Sequence, residues 1–269
     1  MFRNLLATAL LSVCLMPTTA FSQGLFFKVP RPGDWVRYEG TVKQWDSLPD
    51  PESGELKRPE APIEWQRHLH LKCVGEENAQ FRGKTEKCVW LEMKVITGGR
   101  SELGPDPGLV GQRIYKVLVP TSVLDGKSRD TKNVPVSMLP IIKGFKRRAG
   151  EVVPIRSKAL RVYPLVTLLA HYKDPKSQQG SPGIPLANSG IEYTGEFKVE
   201  RKTSQAVNTA TYWVSDDIPF GIAKWDVSMK RSTKDIVDPR SSFQESSEIK
   251  VEMQAQEIRQ DAETEIDEK

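Results

Sequence analysis

The chain has 269 residues, a formal net charge of +4 and 38% hydrophobic residues, with 19 Pro and 19 Gly. A charge this small excludes the electrostatic footprint of a nucleic-acid binder. The apolar content allows a sizeable core that the Pro and Gly residues cut into short pieces, and beyond residue 22 no apolar stretch is long enough to cross a ~30 Å hydrocarbon layer as a helix.

Residues 1–22 have the three parts of a secretory signal peptide: a cation at Arg3, an apolar run over Leu5–Met16, and small residues at Thr18, Thr19, Ala20 and Ser22. The expectation is export to the periplasm or cell envelope of a bacterium. Leu11-Ser12-Val13-Cys14 offers the alternative of a lipoprotein processing box with a lipidated Cys14. Residues 23–258 then read as a single β-rich domain. Residues 259–269, rich in carboxylates, read as an acidic tail expected to be disordered.

The first strand is predicted over Trp35–Val42, followed by a Pro-rich surface loop over 46–62. Trp65–Val74 and Cys88–Ile96 alternate as strands, with a polar turn over Glu76–Lys87 between them. Arg113–Pro120 is a further strand, and Ser137–Lys146 a short turn of helix interrupted by Pro140. Pro164–Tyr172 is the best helix candidate. Pro164 suits the first helical position, and Leu165, Leu168, Leu169 and Tyr172 share one face. Asp174–Gly190 reads as a long loop. Ile191–Lys202, Thr209–Ser215, Ile222–Met229 and Glu248–Gln256 then read as strands, the last with Ile249, Val251, Met253 and Ala255 inward.

Of the three cysteines, Cys14 leaves with the signal peptide. Cys73 and Cys88 remain in a compartment that permits disulfides and are predicted to bridge, for roughly 3 kcal/mol in the chain-entropy model. Two buried free thiols are the alternative. The hairpin also has a parity conflict. If Cys73 faces Cys88, then Leu69 and Leu71 share a face with Trp90 and Glu92 rather than with Leu91 and Met93. Either a bulge intervenes or both faces of the hairpin are covered.

Signatures of chemistry are sparse. There is no G-x-S-x-G and no H-E-x-x-H. Asp125-Gly126-Lys127-Ser128 ends like a phosphate-binding loop, but its first glycine is replaced by Thr121. His68 and His70 share a strand face and are the candidate metal pair, for which His171 or a carboxylate would have to supply a third ligand. The alternative is two polar residues facing solvent. Lys143–Arg148 is a basic cluster around Phe145, suited either to anionic headgroups or to plain solvation. No cofactor is implied. Several of the six tryptophans fall on strands; Trp35, Trp90, Trp213 and Trp225 are candidates either to line a cavity or to fill the core.

Gly33-Asp34-Trp35-Val36-Arg37-Tyr38 resembles the first strand of many exported bacterial proteins. Tyr212-Trp213-Val214-Ser215 through Ile218-Pro219-Phe220-Gly221-Ile222-Ala223-Lys224-Trp225 resembles a hairpin of the same group and strand pairs of the periplasmic lipoprotein-carrier superfamily. That resemblance implies a half-barrel of antiparallel strands closed by helices, holding acyl chains in its hollow.

The expected fold class is α+β, mainly β: a single curved antiparallel sheet with one or two helices packed on or in it. The expected function is non-catalytic binding of a lipid or lipoprotein acyl chain, with Trp35, Trp90, Trp213, Trp225, Leu165, Leu168 and Leu169 as cavity lining. An envelope protein-interaction module without a cavity is the alternative, and a metal protein or enzyme centred on His68 and His70 the third.

Overall fold

The computed structural model describes residues 26–101, 104–106, 111–124, 139–148, 150–160 and 176–267. The predicted signal peptide, the Asp125–Ser128 motif, and the helix candidate with Leu165, Leu168, Leu169 and His171 lie outside the described residues.

Among the described residues the chain is mostly strand. The strands are β1 (Trp35–Asp46), β2 (Leu48–Pro49), β3 (Leu56–Lys57), β4 (Ile63–Phe81), β5 (Lys84–Ser101), β6 (Gly104–Asp106), β7 (Gln112–Pro120), β8 (Leu139–Pro140), β9 (Lys143–Arg148), β10 (Glu151–Pro154), β11 (Ala159–Leu160), β12 (Lys176–Gly180), β13 (Gly190–Glu200), β14 (Ser204–Val214), β15 (Ile222–Thr233) and β16 (Gln244–Arg259). Two 3-10 turns, Thr121–Val123 and Arg240–Ser242, are the helical elements described.

Twelve of the strands form one open antiparallel sheet in the order β10-β9-β7-β5-β4-β1-β16-β15-β14-β13-β12, with β6 beside β5. Neighbours are mostly consecutive in the chain, as short hairpins dictate. The exception is central, where β1 inserts between β4 and β16, so the first and last long strands pair across the whole sequence.

The period-2 alternation divides the sheet into two unlike faces. On the apolar face, Val36 and Tyr38 of β1 lie opposite Leu71 and Leu69 of β4, and Val42 lies opposite Val251 of β16. Leu91 and Met93 continue it through β5, Val117 through β7, Trp225 and Val227 through β15, and Tyr212 through β14; all are buried. On the polar face lie Arg37, Glu39, His68, His70, Lys72, Glu92, Lys94, Lys116, Lys224, Asp226, Lys250 and Glu252, the odd and even counterparts of those positions. A second, small apolar cluster sits on this face around Cys88, Trp90 and Leu118, with Phe145 and Ile142 against it.

Several expectations are corrected. The β4–β5 hairpin does not turn over Glu76–Lys87. It runs on to Arg82–Gly83, where positive φ at both residues (51° and 81°) makes the two-residue turn that matches strand twist. The predicted Cys73–Cys88 disulfide does not form, and both thiols are buried and free. The register pairs Cys73 with Leu91 and Cys88 with Glu77, with a shift between Cys73 and Gly75. Cys73 therefore joins the large apolar cluster and Cys88 the small one on the other face. The parity conflict dissolves because Cys73 does not face Cys88: Leu69 and Leu71 share the apolar face with Leu91 and Met93, and the hairpin has both a bulge and apolar residues on its two faces. Burial pushes the Cys73 thiol up to about 12 and raises that of Cys88.

Ser137–Lys146 is not helical where it is described. Leu139–Pro140 pairs with β11, and Lys143–Arg148 extends the sheet beside β7. Lys176–Gly180, expected in a loop, is an edge strand exposed along its length. The acidic end, expected to be disordered, lies against the polar face as far as Ile266, which is fully buried.

Candidate functional site

Among the described residues, the apolar face is covered by loops, a 3-10 turn and the short β8–β11 pair. Buried residues of the same cluster come from five connecting segments: Phe26, Val123 with Leu124, Leu139 with Ile141, Ile184 with Ala187, and Ile218 with Phe220. The best-defined part of the cover is aromatic. The Phe26 and Phe220 rings meet edge to face at 5.3 Å. Phe27 lies 5.7 Å from Tyr212 and 6.3 Å from Tyr193, and those two tyrosines stack at 5.1 Å.

The segment Ile218-Pro219-Phe220-Gly221 is shaped for this task. Phe220 has φ 67° and Gly221 φ 91°. A bulky aromatic at positive φ is strained, by about 1–3 kcal/mol, yet the conformation seats the Phe220 ring fully buried. Gly221 is required, because a Cβ there would stand 2.7 Å from Phe27 Cβ. The Phe27 N–H donates to the Phe220 carbonyl at 3.0 Å and ties the two cover segments together.

Beneath this cover Trp225 is 1% exposed and packs 5.0 Å from Tyr38, whose hydroxyl donates to the Ile222 carbonyl at 2.8 Å. Burial pushes the Tyr212 hydroxyl far above the usual phenol range and raises that of Tyr193. The chemistry of this face is that of an apolar surface edged by phenols.

No family model matches the chain. No curated protein is significantly similar to it either. What the site can do therefore follows from its own geometry.

The four candidate tryptophans are not brought together. Trp225 lies in the large apolar cluster. Trp213 is half-buried at its margin and pairs with Lys224 and Glu192. Trp90 belongs to the small cluster on the polar face, its indole N–H donating to Glu77 at 3.2 Å. Trp35 also lies on the polar face, edge to face with His70 at 5.7 Å and capped by Arg259 at 4.8 Å.

His68 and His70 do share a face, as their spacing demands. His68 Nε2 stands 3.8 Å from Glu39, whose carboxylate is also paired with Arg37. Burial first, then Lys94, His68 and Arg37, bring His70 down to about 4. Cationic neighbours oppose a metal ion here, and among the described residues no group of three or more His, Cys, Asp or Glu is placed to hold one. The basic cluster Lys143–Arg148 is strand β9, and its Phe145 stacks against Trp90 at 6.4 Å.

Sequence reasoning missed two features. One is the aromatic cover from Phe26, Phe27 and Phe220, signalled by the Phe-Phe pair and by Pro-Phe-Gly. The other is the fully buried carboxylate of Glu92 on the polar face, signalled by a lone acid between Leu91 and Met93.

Proposed function

We propose that this is an exported bacterial envelope protein that binds an apolar or amphipathic ligand, a lipid or a lipoprotein acyl chain, without catalysis. The ligand lies against the apolar face of the sheet, which in this reading is curved into a half-barrel with that face concave. The helix expected over Pro164–Tyr172 would add Leu165, Leu168 and Leu169 as a lid. The single supporting observation is that a sheet face apolar from Val117 to Tyr193 is covered, among the described residues, by loops and short two-residue strands. Loops with strained contacts open at lower cost than a packed second layer. The driving force would be about 25 cal/mol per Å² of apolar surface removed from water.

The test is native mass spectrometry of protein purified from bacterial envelopes, with lipid extraction, followed by titration with a fluorescent fatty acid. A copurifying lipid mass, and displacement of the probe by that lipid, is the expected result. A clean apo mass with no probe binding overturns the proposal.

The alternative, an envelope interaction module, draws on a different observation. The sheet is open, and its edge strand β12 is exposed at every residue. Such an edge can accept a strand from a partner. Proline substitution at Gln178 would abolish partner capture on that reading and leave lipid binding untouched on the first.

A further inference from the structure

Residues 262–266 cross the polar face over β4, β5 and β7 in a way that surface packing does not explain. Glu92 of β5 is 0% exposed. Its carboxylate accepts the Glu265 N–H at 2.8 and 3.1 Å, the Ile266 N–H at 3.2 Å and the Thr264 hydroxyl at 2.9 Å. Lys72 completes its shell at 3.2 Å. The Glu265 carboxylate is held in turn by Lys72 at 2.8 Å and Lys94 at 2.9 Å. Lys116 donates to the Ile266 carbonyl at 3.2 Å, and the Ile266 side chain is fully buried.

A buried carboxylate is costly unless its lone pairs are filled. Here most of the filling comes from backbone N–H groups of a crossing segment, the means by which proteins grip extended peptides. The fixed parts, Lys72, Glu92, Lys94 and Lys116, stand on three adjacent strands. The occupant contributes a hydroxyl, a carboxylate and an aliphatic side chain in consecutive positions. A groove of about 510 Å3 lies between the segment itself, Asp261–Glu265, and Trp35, His70, Lys94 and Arg259 of the sheet.

We propose that Lys72, Glu92, Lys94 and Lys116 form a peptide-docking site for an extended, acidic Thr–Glu–aliphatic segment. Thr264–Ile266 is its resident occupant, exchangeable for the same triplet presented by a partner protein. The proposal stands apart from the lipid reading, since it uses the opposite face of the sheet.

The experiment is fluorescence anisotropy with a labelled peptide spanning residues 260–267, titrated with the full chain. In the wild type the resident segment competes. Ile266→Asp expels it, and the peptide is expected to bind this variant at least tenfold more tightly than wild type. Adding Glu92→Gln is expected to cost at least tenfold, and a peptide carrying Glu265→Lys is expected not to bind. Circular dichroism and thermal melting establish that each variant folds. Should Ile266→Asp not fold, Glu265→Lys in the chain, which faces Lys72 and Lys94 and leaves Ile266 unchanged, must show the same gain. Equal binding to wild type and to the expelled variant, or binding indifferent to Glu92→Gln, overturns the proposal.

Discussion

Replacing Glu92 with Gln keeps the shape of the side chain and removes only its charge and one acceptor oxygen. The consequence follows from the bonds it makes. The native carboxylate accepts from Lys72, Thr264, Glu265 and Ile266 at 2.8–3.2 Å. The amide group keeps one acceptor and turns an NH2 toward donors. Hydrogen bonds to a charged group contribute about 1.5–3 kcal/mol each, and removing one partner of a buried ion pair costs about 3–5 kcal/mol. Partial re-pairing of Lys72 with Glu265 offsets some of that, so a loss of about 3 kcal/mol is expected, confined to the crossing segment. That corresponds to roughly a hundredfold faster exchange at the Glu265 and Ile266 amides, whose N–H groups point at Glu92. Hydrogen-exchange mass spectrometry reads these amides against those of β1 and β16, which should change far less. Less than a threefold change at the two amides, with the variant folded, would refute the assignment of Glu92 as the holder of this segment.

The free thiols are tested by alkylation in denaturant without prior reduction. Cys73 and Cys88 should both be fully modified, and a reducing agent should leave the thermal midpoint unchanged; recovery of a linked peptide pair would contradict the register of β4 and β5. Gly40→Val should destabilise by about 3 kcal/mol or more, past the ~1–3 kcal/mol usual for overpacking, because a Cβ at Gly40 would overlap the Glu252 carbonyl oxygen; a stability within about 0.5 kcal/mol of wild type, read from urea midpoints with the usual ~1–3 kcal/mol per molar slope, would contradict the β1–β16 pairing. Acid should destabilise in two windows. His70 falls from 6.5 to about 4, mainly through burial, so it favours the folded state fully above pH 6.5 and less as pH falls toward 4. Glu265 falls from 4.5 to about 2: burial alone would raise it, but Lys72 and Lys94 outweigh that, so its contribution is full above pH 4.5 and lost toward pH 2. Each has a ceiling of about 3 kcal/mol, lower for Glu265 because solvent reaches it. Urea midpoints between pH 7.5 and 2.5 should fall through both windows, and His70→Asn should flatten only the upper one.

Alternation made the sheet readable. Ile249, Val251, Met253 and Ala255 point to the core as their spacing demands, and so do Leu69, Leu71, Leu91 and Met93. The Cys pairing was not readable, because it depends on where the hairpin turns. A shift of register by four residues moves Cys88 from Cys73 to Glu77, and the turn that decides it, Arg82–Gly83, carries only one glycine as a signal. The hairpin length was missed for a related reason: Glu76–Lys87 is polar, yet it forms strand because both strands extend beyond the sheet body, where water can face either side. Of the candidate lining, Trp225 lies in the large apolar cluster, while Trp35 and Trp90 sit on the polar face by parity alone. Counting tryptophans identified aromatic strands but not which face each ring takes.

The two faces solve the same problem in opposite ways, and this bears on what each can do. The apolar face needs only coverage, which is non-directional, so one set of greasy groups can be exchanged for another of similar bulk. Its aromatic cover includes Phe220 at φ 67°, and any occupant that displaced this ring would let the backbone relax by about 1–3 kcal/mol, which offsets part of the cost of unpacking it. The polar face needs directed partners: Glu92 tolerates only donors, at fixed positions, and Lys94 and Lys116 tolerate only acceptors. Exchange there must be like for like. A promiscuous apolar site and a selective peptide site on opposite sides of one sheet would thus be distinguishable without knowing either ligand, since salt weakens the second through screening and leaves the first intact or strengthens it.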